Sequence, residues 1–575
     1  MAPSRGAGEE RGRGAGDERL TDAGERELED ELHALGVHAV DPLAAPPVVL
    51  GPYFSAYLLG QCGHLLRVSL WWSGLSPLVL ALTGRDSAIG VVRGAFNAGL
   101  LLFSPLGGAM AERVPMRSLL LRTTLARLAL YSLLLPLCWF LLRSGLVDNL
   151  DSESAMFVVL TVICFLDGVQ VAFANVVDVD MGGVDILGGQ LGLPVDDKLR
   201  NRMNSVFQVV FDCAFLVFTP VCALLAWYVG VTAVDDKGRT PSEIDAERSG
   251  VLVASFALVF LITSAFSLAL YSRLTRAGAP SVAPGGGLYE PLAGGEGEGQ
   301  QQQQQQQQTN EQAKPPSLLK AMGDGARLCW VTKPVRYRLL FLGLEVAAED
   351  AMVAVVIAEY AFTSRYFGDG SSTSMYLYTA LIIAVGKVGA IVAGVYMHSC
   401  WKVPTRRAHY LPLFFSVLLA SCSTLLIWLA FRLETAAPEH PSSATAWLSR
   451  GVLFLGVVLF FLFSTAPKIG LQTLLQGLAS SVEGSGKIFG FVGPFVSILD
   501  ALVVMAISLV FGAMKRECPA EGQPGRQQCV SDGFSDSLAV TCAIYLAHGV
   551  LECLVGPSLI IPTDSEVLRN LGLTE

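Results

Sequence analysis

Charged residues are scarce in this sequence. Asp, Glu, Lys and Arg make up 16% of its 575 residues, whereas a soluble globular chain carries about 25%. Hydrophobic residues account for 52% of the chain, and the mean hydropathy is +0.50. The existing charge collects in the first fifty residues, in a central stretch and in short connections. This distribution excludes an ordinary soluble domain.

Several functional motifs are missing as well. The chain has no Gly-x-x-x-x-Gly-Lys-Ser/Thr loop, so ATP-driven activity is not expected. It has no His-Glu-x-x-His, Gly-x-Ser-x-Gly or Cys-x-x-Cys motif, so we predict no enzyme activity, no cofactor and no metal site. A basic patch with interleaved aromatics is absent, which excludes nucleic acid as a partner. The N-terminal segment lacks the apolar region of a cleavable signal peptide.

Long apolar segments separate the charged regions. Each has about 20–25 residues, the length at which an α-helix crosses a bilayer, and helices satisfy their own backbone hydrogen bonds in hydrocarbon. We therefore predict an all-α membrane protein with twelve transmembrane helices in two six-helix halves. The predicted spans are 53–83, 87–111, 119–142, 155–176, 206–228, 251–271, 339–362, 375–398, 411–431, 451–473, 488–514 and 537–561.

The polar segments define the predicted domains. A Gly-, Arg- and Glu-rich tail should be disordered, and a stretch with a Gln run should be a flexible linker. The predicted order is an N-terminal tail at 1–51, a six-helix half at 52–272, a cytoplasmic linker at 273–338, a second six-helix half at 339–561 and a C-terminal tail at 562–575.

Lys and Arg in the short connections predict the orientation, because cytoplasmic loops are enriched in them. They place both termini in the cytoplasm, in either the plasma membrane or an organelle. The residues that support this are Arg113, Arg117, Arg122, Lys198, Arg200, Arg202, Lys402, Arg406 and Arg407.

Most of the twelve cysteines lie inside apolar segments, where they are expected to be small packing residues. Cys518 and Cys529 lie in a loop on the predicted outer side. They are candidates for a disulfide in an oxidising compartment, the alternative being two unpaired thiols.

The loop between the second and third spans has a recognisable pattern. Gly108 is followed at fixed spacing by Glu112, Arg113 and Arg117. This pattern resembles the signature loop of the major facilitator superfamily, in which the glycine allows close helix packing and the charges form a conformational latch. The resemblance implies a central cavity surrounded by spans 1, 2, 4, 5, 7, 8, 10 and 11. The equivalent loop of the second half lacks the acid.

A second resemblance concerns the entry to the fifth span. The segment from Lys198 to Asn204, followed by Asp212 and Pro220, looks like that helix in ferroportin-type iron exporters. The cysteine and histidine that this family carries in its seventh and eleventh helices are absent here. A divalent metal exporter therefore stays an alternative.

Charged side chains inside the predicted spans are the candidate substrate or ion pathway, because such residues need a polar cavity or a partner. These are His64, Arg67, Arg93, Asp167, Asp212, Glu345, Glu349, Asp350, Lys387, Lys468 and Asp500. All eleven lie on the spans that the resemblance assigns to the cavity. On the other spans, Arg122 and Arg127 lie near the cytoplasmic end of the third, from where they can extend to the membrane surface, and the twelfth is the exception with His548 and Glu552. Pairing that only fixes helix register is the alternative interpretation for each.

Three hypotheses concern particular residues. Arg67 and Asp167 are candidates for an ion pair across the first half. Glu345 and Glu349 are four residues apart on one helix face, so their repulsion favours a shared proton. Of the adjacent Glu349 and Asp350, at most one should point straight into the cavity.

The sequence predicts a secondary transporter that moves a small solute by alternating access. Its expected partners are the solute, protons or other cations and the lipid bilayer, and it is expected to be a monomer. The alternatives are the metal exporter and a non-transporting membrane sensor or scaffold.

Overall fold

In the computed structural model, the described residues are 52–83, 86–111, 114–146, 152–179, 182–191, 195–231, 241–274, 318–364, 372–401, 411–436, 443–480, 485–515 and 526–560. All regular elements in these ranges are helices, and we number them α1 to α14. In order they are Pro52–Thr83, Asp86–Ala111, Met116–Arg143, Ser152–Ala174, Gly183–Leu191, Asp197–Val231, Pro241–Arg273, Leu318–Val331, Lys333–Thr363, Ser372–Ser399, Leu411–Thr435, Ser443–Ser480, Ser485–Lys515 and Arg526–Ile560.

The predicted fold class is confirmed. Each of the twelve predicted spans lies on one long helix, and ten of the described helices are apolar and long enough to cross a membrane. The other two long helices, α1 and α9, carry buried charges such as Arg67 and Glu349. The helix set is therefore consistent with twelve spans in two groups of six.

Two short helices were not predicted. α5 follows α4, and α8 (Leu318–Val331) precedes α9. The sequence predicts a flexible linker over 273–338, but the last part of this stretch forms α8 and the first turns of α9. α8 packs against α2 and α13, and this contact gives apolar residues of α8 a surface to pack on. The Gln run and both predicted tails lie outside the described residues.

Two helix pairs form the main contacts between the two halves, and α6 also contacts α12. α6 of the first half packs along α10 of the second, and α2 packs against α13. We call the end of the bundle at which α1 begins the amino end, and the other the opposite end. Because successive spans alternate in direction, α6 and α13 begin at the amino end, and α2 and α10 end there.

Two helices change their winding in mid-course. α3 contains a π-helical segment at Leu128–Leu134, and α9 contains one at Met352–Ile357. π-helical turns occur mostly as short insertions, frequently at functional sites. The segment in α9 begins two residues after Asp350, next to the charged residues described below.

Glycines allow α2 and α4 to pack with their backbones in contact. A Cβ atom on Gly168 would overlap the carbonyl oxygen of Phe96, and one on Gly99 would overlap that of Phe165. Small residues at such crossings are typical of membrane helix pairs.

We expect Gly168→Ala to destabilise the first half by about 1–3 kcal/mol, the usual cost of overpacking. Thermal unfolding in detergent would measure it. Gly451→Ala is the matched control, because a Cβ on Gly451 meets no described atom within 4 Å. Equal unfolding temperatures for the two variants would contradict the assigned backbone contact.

Candidate functional site

A large cavity, lined by apolar side chains and by several charged ones, lies between the two halves. Its volume is about 890 Å³. Its walls come from α1, α2, α4 and α6 of the first half and from α9, α10, α12 and α13 of the second, with Arg127 of α3 also reaching it. The described residues of α7, α11 and α14 do not line it. This is the helix arrangement that the family resemblance implies.

The cavity is closed at the amino end by contacts between the halves. The Asn201 side chain donates a hydrogen bond to the Met397 carbonyl oxygen at 2.8 Å. The Asn204 side chain donates to Gln476 at 2.8 Å, and Gln476 donates to the Val179 carbonyl oxygen at 3.0 Å.

Backbone contact between α2 and α13 completes this closure. A Cβ on Gly490 would lie 2.9 Å from the Gly108 Cα atom and 2.9 Å from the Ser104 carbonyl oxygen. Towards the opposite end, Gly90 and Gly94 of α2 line the cavity, and a Cβ on either would meet no described atom within 4 Å. The described structure is therefore closed at the amino end around the cavity.

Lys387 joins the two halves in the middle of the cavity wall. Its Nζ lies 3.0 Å from Asp212 Oδ1 on α6 and 2.8 Å from Glu349 Oε1 on α9. All three side chains are buried, and Asp212 is 0% exposed. An ammonium group between two carboxylates compensates the desolvation of both. Lys387 of α10 thus forms ion pairs with α6 of the first half and with α9 of the second half.

Lys468 and Gln208 extend this network. Lys468 Nζ lies 2.9 Å from Glu349 Oε2, so Glu349 accepts one ammonium group on each oxygen. Gln208 donates a hydrogen bond to Asp212 Oδ2 at 2.8 Å. Lys387 also lies 4.7 Å from the centre of the Phe461 ring. We call Asp212, Glu349, Lys387 and Lys468 the bridge cluster.

A second charged group faces the open part of the cavity. Asp350 of α9, Asp500 of α13 and Arg93 of α2 all line it, and Arg93 acts electrostatically on both carboxylates. Asp350 is exposed to the cavity, while Asp500 Oδ1 is buried without a hydrogen-bond partner among the described residues. The Arg93 guanidinium also lies 5.5 Å from the centre of the Trp72 ring. We call these three charged residues the cavity triad.

The first half contains its own buried charge network. The Arg127 guanidinium forms two hydrogen bonds to Asp167, at 3.0 and 3.2 Å, and Asp167 is 0% exposed. His64 Nδ1 lies 3.2 Å from Arg127, and its Nε2 lies 3.4 Å from Asp178. The bidentate geometry makes the Arg127–Asp167 pair a firm link between α3 and α4.

Two predictions about this half were wrong. Arg67 does not pair with Asp167, because Arg127 occupies both carboxylate oxygens, and Arg67 instead donates to Ser267 on α7 at 3.0 Å. Arg127 was expected to extend to the membrane surface from the end of its span, yet it is 3% exposed.

The predictions about α9 also need correction. Glu345 and Glu349 do not share a site, because Glu349 is held by two lysines whereas Glu345 faces His548 of α14 at 3.2 Å. Glu349 and Asp350 both line the cavity, although at most one was expected to point into it. The π-helical segment that follows them also lines the cavity, through Val353 and Ala354.

The remaining predicted residues are only partly described. Gly108 contacts α13, and Arg117 is half-buried at the start of α3. Glu112 and Arg113 lie outside the described residues, so the latch stays a prediction. Cys529 is disulfide-bonded. Cys518 lies outside the described residues, so its pairing with Cys529 stays a prediction.

Sequence reasoning missed several polar residues that the structure brings to the cavity. Asn204 and Gln476 close the amino end, and Asp178 holds His64. Asp178 follows the fourth span directly, so an acid at a span end was the available signal. Neutral amides carry no comparable signal, because their partners are defined only by the packing of the two halves.

Comparisons with known proteins identify the fold. No family model matches the chain, and no curated protein matches it. A bacterial homologue of the iron transporter ferroportin, solved in an outward-facing state with soaked iron, is similar with a TM-score of 0.54 and 14% identity, over 88% of this chain and 98% of that chain. The proton:xylose symporter XylE, bound to a bromodeoxyglucose, is similar with a TM-score of 0.51 and 14% identity, over 88% of this chain and 96% of that chain. The chain therefore has the major facilitator fold.

Proposed function

We propose that this protein is a secondary transporter that moves a small polar solute through the central cavity by alternating access. The observation that carries the proposal is a cavity lined by charged side chains from both halves, inside helices that span a membrane. Charged residues at this depth are costly unless they face a polar cavity or pair with one another, and they commonly mark solute or ion pathways. A scaffold would not need a cavity of about 890 Å³ at this position.

The orientation follows from the predicted positive-inside distribution. With the amino end in the cytoplasm, the closing contacts of Asn201, Asn204 and Gly490 lie on the cytoplasmic side. The structure then represents the outward-facing state, in which solute reaches the cavity from outside. Transport requires those contacts to open while the opposite end closes.

The solute is expected to carry charge or several polar groups. The cavity triad combines two carboxylates with one guanidinium, so it offers sites for both a cationic and an anionic group. In the bridge cluster each carboxylate already has an ammonium partner. We therefore place solute binding at the triad and assign the bridge cluster to coupling between the halves.

Proton coupling fits the same arrangement. Asp500 has a buried oxygen without a hydrogen-bond partner among the described residues, and it lies near a second acid, Asp350. A proton bound to one of two neighbouring carboxylates removes the repulsion between them, so this pair is a suitable place for a coupling proton. The xylose symporter that shares this fold is a proton-coupled protein.

The test is thermal unfolding of the purified protein with a panel of organic cations, organic anions, amino acids, sugars and divalent metals, at about pH 5.5 and about pH 7.5. A ligand specific for the folded state stabilises it by about 2.7 kcal/mol at about a hundredfold excess over Kd. We expect one solute class to raise the unfolding temperature, and Asp500→Asn to abolish that rise. Asp536→Asn, which changes an exposed acid of α14, is the matched control.

A divalent metal exporter is the second candidate. It is favoured by the two carboxylates of the triad, which could bind a hard cation, and by the similarity of the fold to the bacterial homologue of the iron transporter ferroportin. A stabilising effect of metals alone, lost in Asp350→Asn and Asp500→Asn, would put this candidate first. If no class stabilises the protein at either pH, solute binding at the triad is contradicted.

A further inference from the structure

Three side chains of the types that coordinate metal ions lie close together outside the cavity, between α9 and α14. His548 Nε2 lies 3.2 Å from Glu345 Oε1, and His548 Nδ1 lies 3.7 Å from Glu552 Oε1. One ligand atom from each residue lies within 4.8 Å of the others. Glu349, one turn further along α9 than Glu345, lines the cavity, whereas none of these three residues does. They form a separate polar cluster within the second half.

The charges of this cluster are not balanced. Glu345 is 3% exposed and Glu552 is 0% exposed, and both Glu552 oxygens lack a hydrogen-bond partner among the described residues. The charged group that acts on Glu552 most strongly is the other carboxylate. Tyr545, one turn before His548, donates its hydroxyl to the Ala348 carbonyl oxygen instead. A buried carboxylate in this situation needs either a positive partner or a bound proton.

The spacing of the cluster suits a metal ion. His548 and Glu552 are four residues apart, so they lie on one face of α14, and Glu345 faces them from the neighbouring helix. Metal sites in helical bundles are built from inward carboxylates and histidines on facing helices in this way. Zinc bonds to nitrogen and oxygen are about 2.0–2.2 Å long. The observed separations therefore require side-chain shifts of about an ångström for all three atoms to bind one ion.

We propose that Glu345, His548 and Glu552 bind a divalent transition-metal ion, with water completing its coordination. A set of one imidazole and two carboxylates suits zinc, iron(II), manganese or cobalt. The ion would neutralise the two buried carboxylates and fix α14 to α9, away from the solute cavity. The sequence alone predicts no metal site, because the ligands come from helices 203 residues apart and form no short motif.

The test uses the full-length protein, purified in detergent and freed of metal with a chelator. Addition of Co²⁺ should give visible absorption bands that saturate at about one equivalent, and Zn²⁺ should displace it. His548→Ala should abolish the bands. His398→Ala, which changes an exposed histidine at the end of α10, and Asp500→Asn in the cavity triad should leave them unchanged.

Glu552→Gln separates metal binding from folding. This substitution removes a buried charge and keeps the side-chain volume, so the metal-free variant should unfold at a temperature equal to or above that of the metal-free wild type. It should not respond to Zn²⁺, whereas the wild type should be stabilised. Saturable Co²⁺ binding that persists in both His548→Ala and Glu552→Gln, or no binding by the wild type at millimolar Co²⁺, would overturn the proposal. Loss of binding in Asp500→Asn instead would assign the ion to the cavity.

Discussion

Replacement of Lys387 by Met should lower the free energy of unfolding by about 3–5 kcal/mol, the usual cost of breaking a buried ion pair from one side. Lys387 is the ammonium group that compensates Asp212 and half of Glu349, and its side chain is 5% exposed. Without it, the described residues leave Asp212 the hydrogen bond from Gln208 and the more distant charge of Lys468. The variant should also lose transport, because the ionic connection between α6, α10 and α9 is broken.

Lys468→Met is the matched control for this prediction. Lys468 is an ammonium group in the same cluster, but among the described residues it forms an ion pair with one carboxylate, Glu349, and its side chain is 17% exposed. Its removal leaves Glu349 bound to Lys387, so the loss of stability should be smaller. Thermal unfolding of both variants in detergent measures the difference. Equal losses would show that Lys387 has no special role between the two carboxylates.

A double variant tests the reason for the effect. Asp212→Asn together with Lys387→Met removes one carboxylate and one ammonium group, and the remaining Glu349 still pairs with Lys468. We expect this variant to recover most of the stability that Lys387→Met loses, because residues in one charge network are not additive. A double variant as unstable as the sum of the two single variants would contradict the pairing.

Replacement of Gly490 by Ala should shift the protein away from the state closed at the amino end. The new Cβ would lie 2.9 Å from both the Gly108 Cα atom and the Ser104 carbonyl oxygen, so α13 and α2 must separate there. Overpacking typically costs about 1–3 kcal/mol, and about 1.4 kcal/mol corresponds to a tenfold change in a population ratio. The open population at this end should therefore rise about 5- to 150-fold.

Labelling of Ser104→Cys by a water-soluble maleimide would measure this shift. Ser104 is 3% exposed on α2, facing the contact with α13. In the Gly490→Ala background we expect faster labelling at this position. Gly493→Ala is the control, since a Cβ there meets Asn175 and Ser104 only at 3.9 Å, an ordinary contact distance. Equal labelling rates in the two backgrounds would contradict the role of Gly490 in closing the amino end.

Helix positions and the cavity-facing set could be predicted from the sequence, and ion-pair partners could not. Apolar length defines each span, and the scarcity of charge in membranes makes residues such as Asp212 and Lys387 conspicuous. Their pairing depends on how α6 and α10 cross, which no local pattern records. Arg127 shows the same limit, because its position on α3 favoured the membrane surface while packing against α4 buries it beside Asp167.

The cluster at Glu345 illustrates a second limit. Glu345 and Glu349 are four residues apart on the regular turns of α9 that precede the π-helical segment, yet they contact different neighbours: Glu345 meets His548 of α14, and Glu349 meets Lys387 of α10. His548 and Glu552 stood out in the sequence as charges on the twelfth span, which otherwise packs outside the cavity. The packing of α14 against α9 is what places His548 and Glu552 beside Glu345, outside the cavity.

Alternating access requires the two halves to move against each other around the cavity. Spin-label distances test it most directly, with one pair at Arg122 and His398, which are exposed at the amino end, and another at Ser144 and Arg432, which are exposed at the opposite end. In a background without other reactive cysteines, we predict two distances for each pair. In each conformation, the pair at one end should show its long distance while the pair at the other end shows its short distance. Gly490→Ala should increase the population with the long distance between Arg122 and His398. A single unchanged distance at both ends, at low and neutral pH and in the Gly490→Ala background, would contradict alternating access.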